Sequence, residues 1–357
     1  MTKAVGMAAS WRHDNPVSAV DAAGAREGNG GRTSRARRTY AAIDLGTNNC
    51  RLLVARPARG GFVIVDAFSR IVRLGEGMGA TGVISKAARQ RAIDALSQCA
   101  EKLNRRNVSV ARSVATEACR RAANGAEFVN DVFEQTGIAL DVISPAEEAR
   151  LAVLGCHSLL DSSSDHGLVF DIGGGSTELV LLERGTGPEP RILQWVSVPW
   201  GVVSLAETEA QEPNSPAARR DAYLRMLARV RDAVGDFAQS ATEGDWSGLQ
   251  LLGTSGTVTT LASLYLELPS YDRRKVDGCV VPSSAMRAIS LSLSSQSIAE
   301  RAALACIGQE RADLVVAGCA ILEAILDAWP AERLKVADRG IREGILRSMM
   351  ARDGHQF

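Results

Sequence analysis

Apolar positions along this chain switch between a two-residue and a three-to-four-residue period, and the switches mark out its elements. Tyr40-Ala-Ala-Ile43 reads as a short buried strand, Asp44-Leu-Gly-Thr-Asn-Asn49 as a polar turn, and Cys50-Arg-Leu-Leu-Val-Ala55 as the returning strand. A third strand is predicted at Phe62–Phe68, after the Gly60-Gly61 break. Leu74-Gly-Glu-Gly-Met-Gly79 then reads as a loop flexible enough for its backbone to approach a ligand. Helical spacing follows over Ile84–Asn104, where Ile84, Ala88, Ala92, Ala95, Cys99 and Leu103 fall on one face and Ser85 can cap the start. Val108–Ala115 and Ile138–Ile143 are predicted strands, Glu117–Asn124 opens a helix, and Ser144-Pro-Ala-Glu147 starts another with proline in its first turn.

The opening pattern then recurs. Leu168-Val-Phe170 is a strand, Asp171-Ile-Gly-Gly-Gly-Ser-Thr-Glu178 a turn and Leu179–Leu182 a returning strand, with a third strand at Ile192–Val198 beyond a hairpin loop at Gly185–Pro190. Asp44 and Asp171 are 127 positions apart, a period too long for a solenoid and suited to two related domains. After the second copy come a long helix over Ser215–Ala241, a strand at Leu249–Leu252, the glycine turn Gly253-Thr-Ser-Gly-Thr257 and a helix over Val258–Leu266. The remainder is predicted to be mostly helical, with one strand at Leu334–Ala337.

Composition narrows the class. A chain of 357 residues exceeds what one hydrophobic core usually serves, so two domains are expected. Apolar residues make up 46% and charged residues 23%, as in ordinary globular proteins, and no apolar run reaches the ~18 residues that span a bilayer. Aromatics are only 4%, which argues against base-stacking surfaces for nucleic acid. Net charge is zero, so an anion site must be built locally. The seven cysteines show no C-x-x-C pairing and read as small buried hydrophobes in a reducing cytoplasm. The four histidines form no metal or nucleophile constellation. Residues 1–39 carry no signal-peptide core and end in the basic run Arg32, Arg35, Arg37, Arg38, so a solvated, disordered tail is expected there.

The second turn carries the strongest chemistry. Three consecutive glycines after a buried strand expose backbone N–H groups with no side chain in the way, a concavity suited to phosphate oxygens. Gly173, Gly174 and Gly175 would cradle the anion, and Ser176 and Thr177 add hydroxyls. Asp171 and Glu178 would repel a bare phosphate, so they are read as Mg²⁺ ligands or as groups that orient a water. The first turn repeats the device, with Asp44 followed by Gly46, Thr47 and Asn48. Gly253, Thr254, Ser255 and Gly256 form a third glycine turn, here at a helix N-terminus available to an anion.

Asp44-Leu-Gly-Thr-Asn48, Asp171–Glu178 and Gly253–Thr257, in this order, resemble the exopolyphosphatase / guanosine pentaphosphate phosphohydrolase (Ppx/GppA) family. Ala115–Arg120, Ile143–Arg150, Val198–Gly201, Glu310–Asp313 and Arg339–Gly344 add to the likeness, which runs from about Tyr40 to Leu346. The resemblance implies an α/β chain of two related actin-like (ribonuclease H-like) domains, with mixed sheets flanked by helices and a cleft between them. The first domain is expected over 40–160, with the helix 340–357 packing back on it, and the second over 161–339. It also implies that Glu148 is the base that activates a water, and that Glu178 acts as a second carboxylate. Glu147, its neighbour, points roughly 100° away on a helix, and without the resemblance the two cannot be ranked. Arg120, or Arg121 beside it, is expected to grip the phosphate chain, and Asp44, Asp171 and Glu178 to hold Mg²⁺. Arg311 and Asp313 would hold domains or a helix end together.

Two departures stand out. The chain ends about a dozen residues after Arg342-Glu-Gly344, as in the short two-domain form, and Gly201-Val-Val-Ser-Leu205 lacks an arginine found there in many members. The expected activity is release of terminal phosphate from inorganic polyphosphate by a cytoplasmic enzyme that forms a homodimer and engages neither nucleic acid nor membrane. Guanosine pentaphosphate, acted on at its 5′ end, is the alternative substrate. A sugar kinase relative and a slowly turning sensor of polyphosphate or alarmone are the rivals of other classes.

Overall fold

The computed structural model describes residues 5–7, 38–161, 164–185, 189–209, 215–241, 246 and 248–355. Its strands are, in chain order, β1 Val5–Met7, β2 Tyr40–Leu45, β3 Asn49–Ala58, β4 Gly61–Ile71, β5 Val110–Ala115, β6 Leu140–Val142, β7 His166–Ile172, β8 Thr177–Glu183, β9 Arg191–Val198, β10 Gln250–Thr254, β11 Val280–Pro282 and β12 Arg333–Ala337. The chain divides into two compact units. One holds the described residues from 38 to Gly155 together with those from Ile341 onwards, and the other holds β1 with the described residues of Cys156–Gly340.

In the first of these units the sheet runs β4-β3-β2-β5-β6, antiparallel over β4, β3 and β2 and parallel from β2 through β5 to β6. Strand alternation sorts its side chains between two cores. Ala41, Ile43, Leu45, Cys50, Leu52 and Val54 face the helices Lys86–Arg105 and Gly125–Thr136. Tyr40, Ala42, Leu53 and Ala55 join Leu151 of the helix Pro145–Cys156 and Ile345, Leu346 and Met350 of the helix Ile341–Arg352. Ser85 caps the Lys86–Arg105 helix through its side chain, as the spacing suggested.

The other unit repeats the same order as β9-β8-β7-β10-β12, with β11 added antiparallel beside β12 and β1 added antiparallel beside β9. The two sheets therefore share one topology, so the chain is the α/β duplication expected, with mixed sheets flanked by helices. Two expectations are corrected. Val5–Met7, within the segment read as a disordered tail, is a strand on the β9 edge, and the rest of that segment up to residue 37 lies outside the described residues. Val280–Pro282 is a further strand in the region read as mostly helical, because three residues are too few to show a period. Parts of the loops at 161–165 and 185–190 also lie outside the described residues. Among the described residues, no helix is long and apolar enough to cross a membrane.

Candidate active site

The Asp44 hairpin is a tight β2–β3 turn closed by Gly46 N–H donating to the Asn49 carbonyl at 2.8 Å. Asp44 lies opposite Arg51 in the strand register. Burial pushes its carboxyl above the ordinary value; Arg51 and Arg342 oppose that shift and the buried Glu343 adds to it. Sequence reasoning gave no role to these three neighbours, although Arg51 could have been found by counting residues around the hairpin. Thr47 and Asn48 are both buried, and neither Thr47 Oγ1 nor Asn48 Oδ1 has a partner among the described residues. Buried polar atoms are rarely left so, and two of them in one turn mark a place for a ligand. Backbone bonds from the start of the segment read as a flexible loop, and from the two residues before it, hold this hairpin. Val72 and Arg73 N–H donate to the Asn48 carbonyl at 2.9 and 3.0 Å, and Gly75 N–H donates to the Thr47 carbonyl at 2.9 Å.

Glu147 and Glu148 begin the helix Pro145–Cys156, and their partners differ. Glu147 binds Arg112 at 2.9 Å and Arg150 at 2.8 Å. Burial opposes its ionisation, but Arg150 and then Arg112 outweigh it and hold the carboxyl below its ordinary value. Glu148 is 7% exposed and accepts from Arg120 Nη1 at 2.9 Å. Arg120 also donates to the Ile143 carbonyl at 2.6 Å and, through Nη2, to Glu117 at 2.9 Å. Burial alone would lower the guanidinium pKa; the Glu148 and Glu117 carboxylates raise it instead. Arg120 thus fixes Glu148 in place. Glu117 was not singled out from the sequence. Arg121 is half-exposed beside the same Glu117.

In the other unit, Asp171 and Glu178 face each other across β7 and β8. Glu178 is buried, and its Oε1 accepts from Ser176 Oγ at 2.8 Å and Ser197 Oγ at 2.9 Å. Between them the glycine turn is held by the start of the helix Val202–Ala206. The Gly173 carbonyl accepts from Val202 N–H at 2.9 Å, that of Gly174 from Val203 N–H at 2.8 Å, and that of Gly175 from Ser204 Oγ at 3.2 Å. In a trans peptide the N–H points opposite to the carbonyl, so the Gly174, Gly175 and Ser176 N–H groups are turned away from that helix. Three successive N–H groups facing one way make an anion cradle. A Cβ on Gly201 would lie 2.4 Å from the Gly174 carbonyl carbon, so only glycine allows the helix this close.

Thr177 is fully buried and donates to the Trp200 carbonyl at 2.7 Å, which makes it a structural hydroxyl. In the third turn, Thr254 Oγ1 donates to the Arg339 carbonyl at 2.7 Å and Ser255 Oγ accepts from Val258 N–H at 3.2 Å. Gly253 sits against the Phe170 ring, and Gly256 is the first residue of the helix Gly256–Tyr265. Arg311 donates to Thr260 Oγ1 at 3.1 Å and so ties its segment to that helix.

Among the described residues, no three His, Cys, Asp or Glu side chains gather as a metal cluster. Mg²⁺ takes hard oxygen donors, commonly one or two carboxylates with waters completing the shell. Asp171 and Glu178, opposite each other in the strand register, and in the other unit Asp44 and the unpartnered side-chain oxygen Oδ1 of Asn48, are donors of that kind.

Two sheets of one topology, each carrying an acidic residue at its opening hairpin, frame the candidate site residues. The chain belongs to the Ppx/GppA phosphatase family, whose model matches residues 53–353, and it is a hydrolase of phosphoanhydrides. It is 32% identical over 323 residues to the Mycobacterium tuberculosis protein named exopolyphosphatase 2, covering 87% of this chain and 98% of that relative. Among solved structures it resembles an exopolyphosphatase from Cytophaga hutchinsonii, with a TM-score of 0.78 at 25% identity over 89% of this chain and 99% of that one. A family member from Aquifex aeolicus matches with a TM-score of 0.71 at 28% identity, over 89% and 99% of the two chains.

Proposed function

We propose that this protein is an exopolyphosphatase that releases terminal orthophosphate from inorganic polyphosphate, with Glu148 as general base. The observation that carries this reading is the buried Glu148–Arg120 pair beside a Glu147 already engaged by two arginines. Glu148 accepts a proton from a water as that water's oxygen bonds to the terminal phosphorus. The anhydride P–O bond breaks, and the bridging oxygen leaves with the electron pair on the shortened chain. Arg120 positions Glu148 and keeps a positive charge near the reacting group.

The N–H groups of Gly174, Gly175 and Ser176 in one unit bind phosphate oxygens, and the Thr47 hydroxyl in the other unit is likewise a donor to phosphate. Asp171 with Glu178 in one unit, and Asp44 in the other, are the carboxylates that would hold Mg²⁺, which would neutralise charge on phosphate oxygens. The similarity to the mycobacterial protein named exopolyphosphatase 2 supports polyphosphate as the substrate.

Phosphate release from long-chain polyphosphate, guanosine pentaphosphate and ATP, each with Mg²⁺, tests the reading. Polyphosphate is expected to give the highest kcat/KM. A higher value for guanosine pentaphosphate would reassign the substrate, and transfer of phosphate from ATP to a sugar without release from polyphosphate would overturn the hydrolase mechanism.

A further inference from the structure

Thr47 has a hydroxyl with no partner and a methyl with no room. Its Oγ1 is buried without a hydrogen bond among the described residues. Its Cγ2 lies against Gly75, where a Cβ would sit 2.3 Å away, far inside van der Waals contact. Gly75 is itself buried, and its N–H holds the Thr47 carbonyl at 2.9 Å. It is not among the glycines with positive φ, so its backbone would accept an L residue. The reason for glycine at position 75 is therefore the Thr47 methyl. Oγ1 and Cγ2 hang from the same Cβ, so the χ1 value that places one places the other. Filling the space at Gly75 must turn both or push the hairpin.

We infer that Gly75 is a positioning residue for substrate: its missing side chain is the slot that seats the Thr47 methyl and so aims the Thr47 hydroxyl at the phosphate chain. This rests on the proposed phosphate role of the Asp44 hairpin, and it gives the 72–75 segment a part in seating the substrate through Thr47. The adjoining backbone supports the same end, since Val72 and Arg73 hold the next carbonyl, that of Asn48. The 72–75 segment therefore fixes two successive peptides of the hairpin.

The test is a double-mutant cycle on polyphosphate hydrolysis, reading KM and kcat separately. Gly75→Ala is expected to raise KM by about tenfold or more, the scale of an ångström-sized misplacement. Thr47→Ser removes Cγ2 and keeps Oγ1. In the Thr47→Ser background, Gly75→Ala should therefore change KM by less than about threefold, the size of a coupled pair relieved of its clash. An equal penalty in both backgrounds, or no penalty in either, overturns the inference. Should Gly75→Ala alone fail to fold, the double variant decides. It is expected to fold with the KM of Thr47→Ser, and its failure to fold contradicts the slot. Thr47→Val keeps a methyl against Gly75 and removes the hydroxyl. A wild-type KM for that variant would sink the phosphate role of Thr47 itself, an outcome distinct from a failure of the Gly75 slot.

Discussion

Neighbouring residues in this chain do different work because of what faces them. Glu147 and Glu148 are adjacent and chemically identical, yet one is engaged by Arg112 and Arg150 and the other is buried against Arg120. That separation was not legible in the sequence, since Arg120 and Glu148 lie 28 positions apart and meet only through the fold. Carboxylates elsewhere stabilise rather than react. At Asp66 the hydrogen bond from Lys102, against the opposing push of burial and with help from Arg106 and the Ala67 N–H, holds the carboxyl well below the usual range. A carboxylate with a depressed folded pKa stabilises the fold above its unfolded pKa of about 3.9, and that stability is lost as pH falls through the folded value. Wild type should exceed Asp66→Asn in unfolding free energy by on the order of 1 kcal/mol at neutral pH. Urea unfolding from pH 7 downwards should show this gap steady to about pH 4 and shrinking below it. A gap that opened only in acid would contradict the assignment.

At the scale of elements, each hairpin owes its shape to a partner remote in sequence. Three glycines in a row were enough to point to an anion turn. That the turn is held by the helix Val202–Ala206 was not readable, because the contact joins Gly174 to Gly201 through the packing of the unit. The same holds for Leu74–Gly79, whose glycines suggested flexibility but whose Gly75 N–H is tied to the Thr47 carbonyl, next to the Val72 and Arg73 bonds to Asn48. Gly201→Ala would place its methyl 2.4 Å from the Gly174 carbonyl carbon, so either the helix or the turn must move. The expected stability cost is about 1–3 kcal/mol. A fall in kcat/KM for polyphosphate of about tenfold or more should accompany it. Phosphate-release assays at a temperature where the variant stays folded would check this, and an unchanged kcat/KM would mean that the turn is not the cradle.

For the whole molecule, the duplication was the most legible feature. Two acidic hairpins 127 residues apart announced two related domains, and both sheets run in one order, with three antiparallel strands followed by parallel ones. Strand alternation and helix spacing survive in sequence because each element has faces buried in a core. Additions such as β1 and β11 lie at sheet edges and leave no such trace. Catalysis is the property on which the account stands as a whole, and the base is its central claim. The direct measurement is kcat and KM for phosphate release from long-chain polyphosphate by wild type, Glu148→Gln and Glu147→Gln. Glu148→Gln should lower kcat by about 100-fold or more with KM and melting temperature near wild type, whereas Glu147→Gln should retain kcat within about threefold. Near-normal turnover in Glu148→Gln, or equal losses in the two variants, would contradict the account.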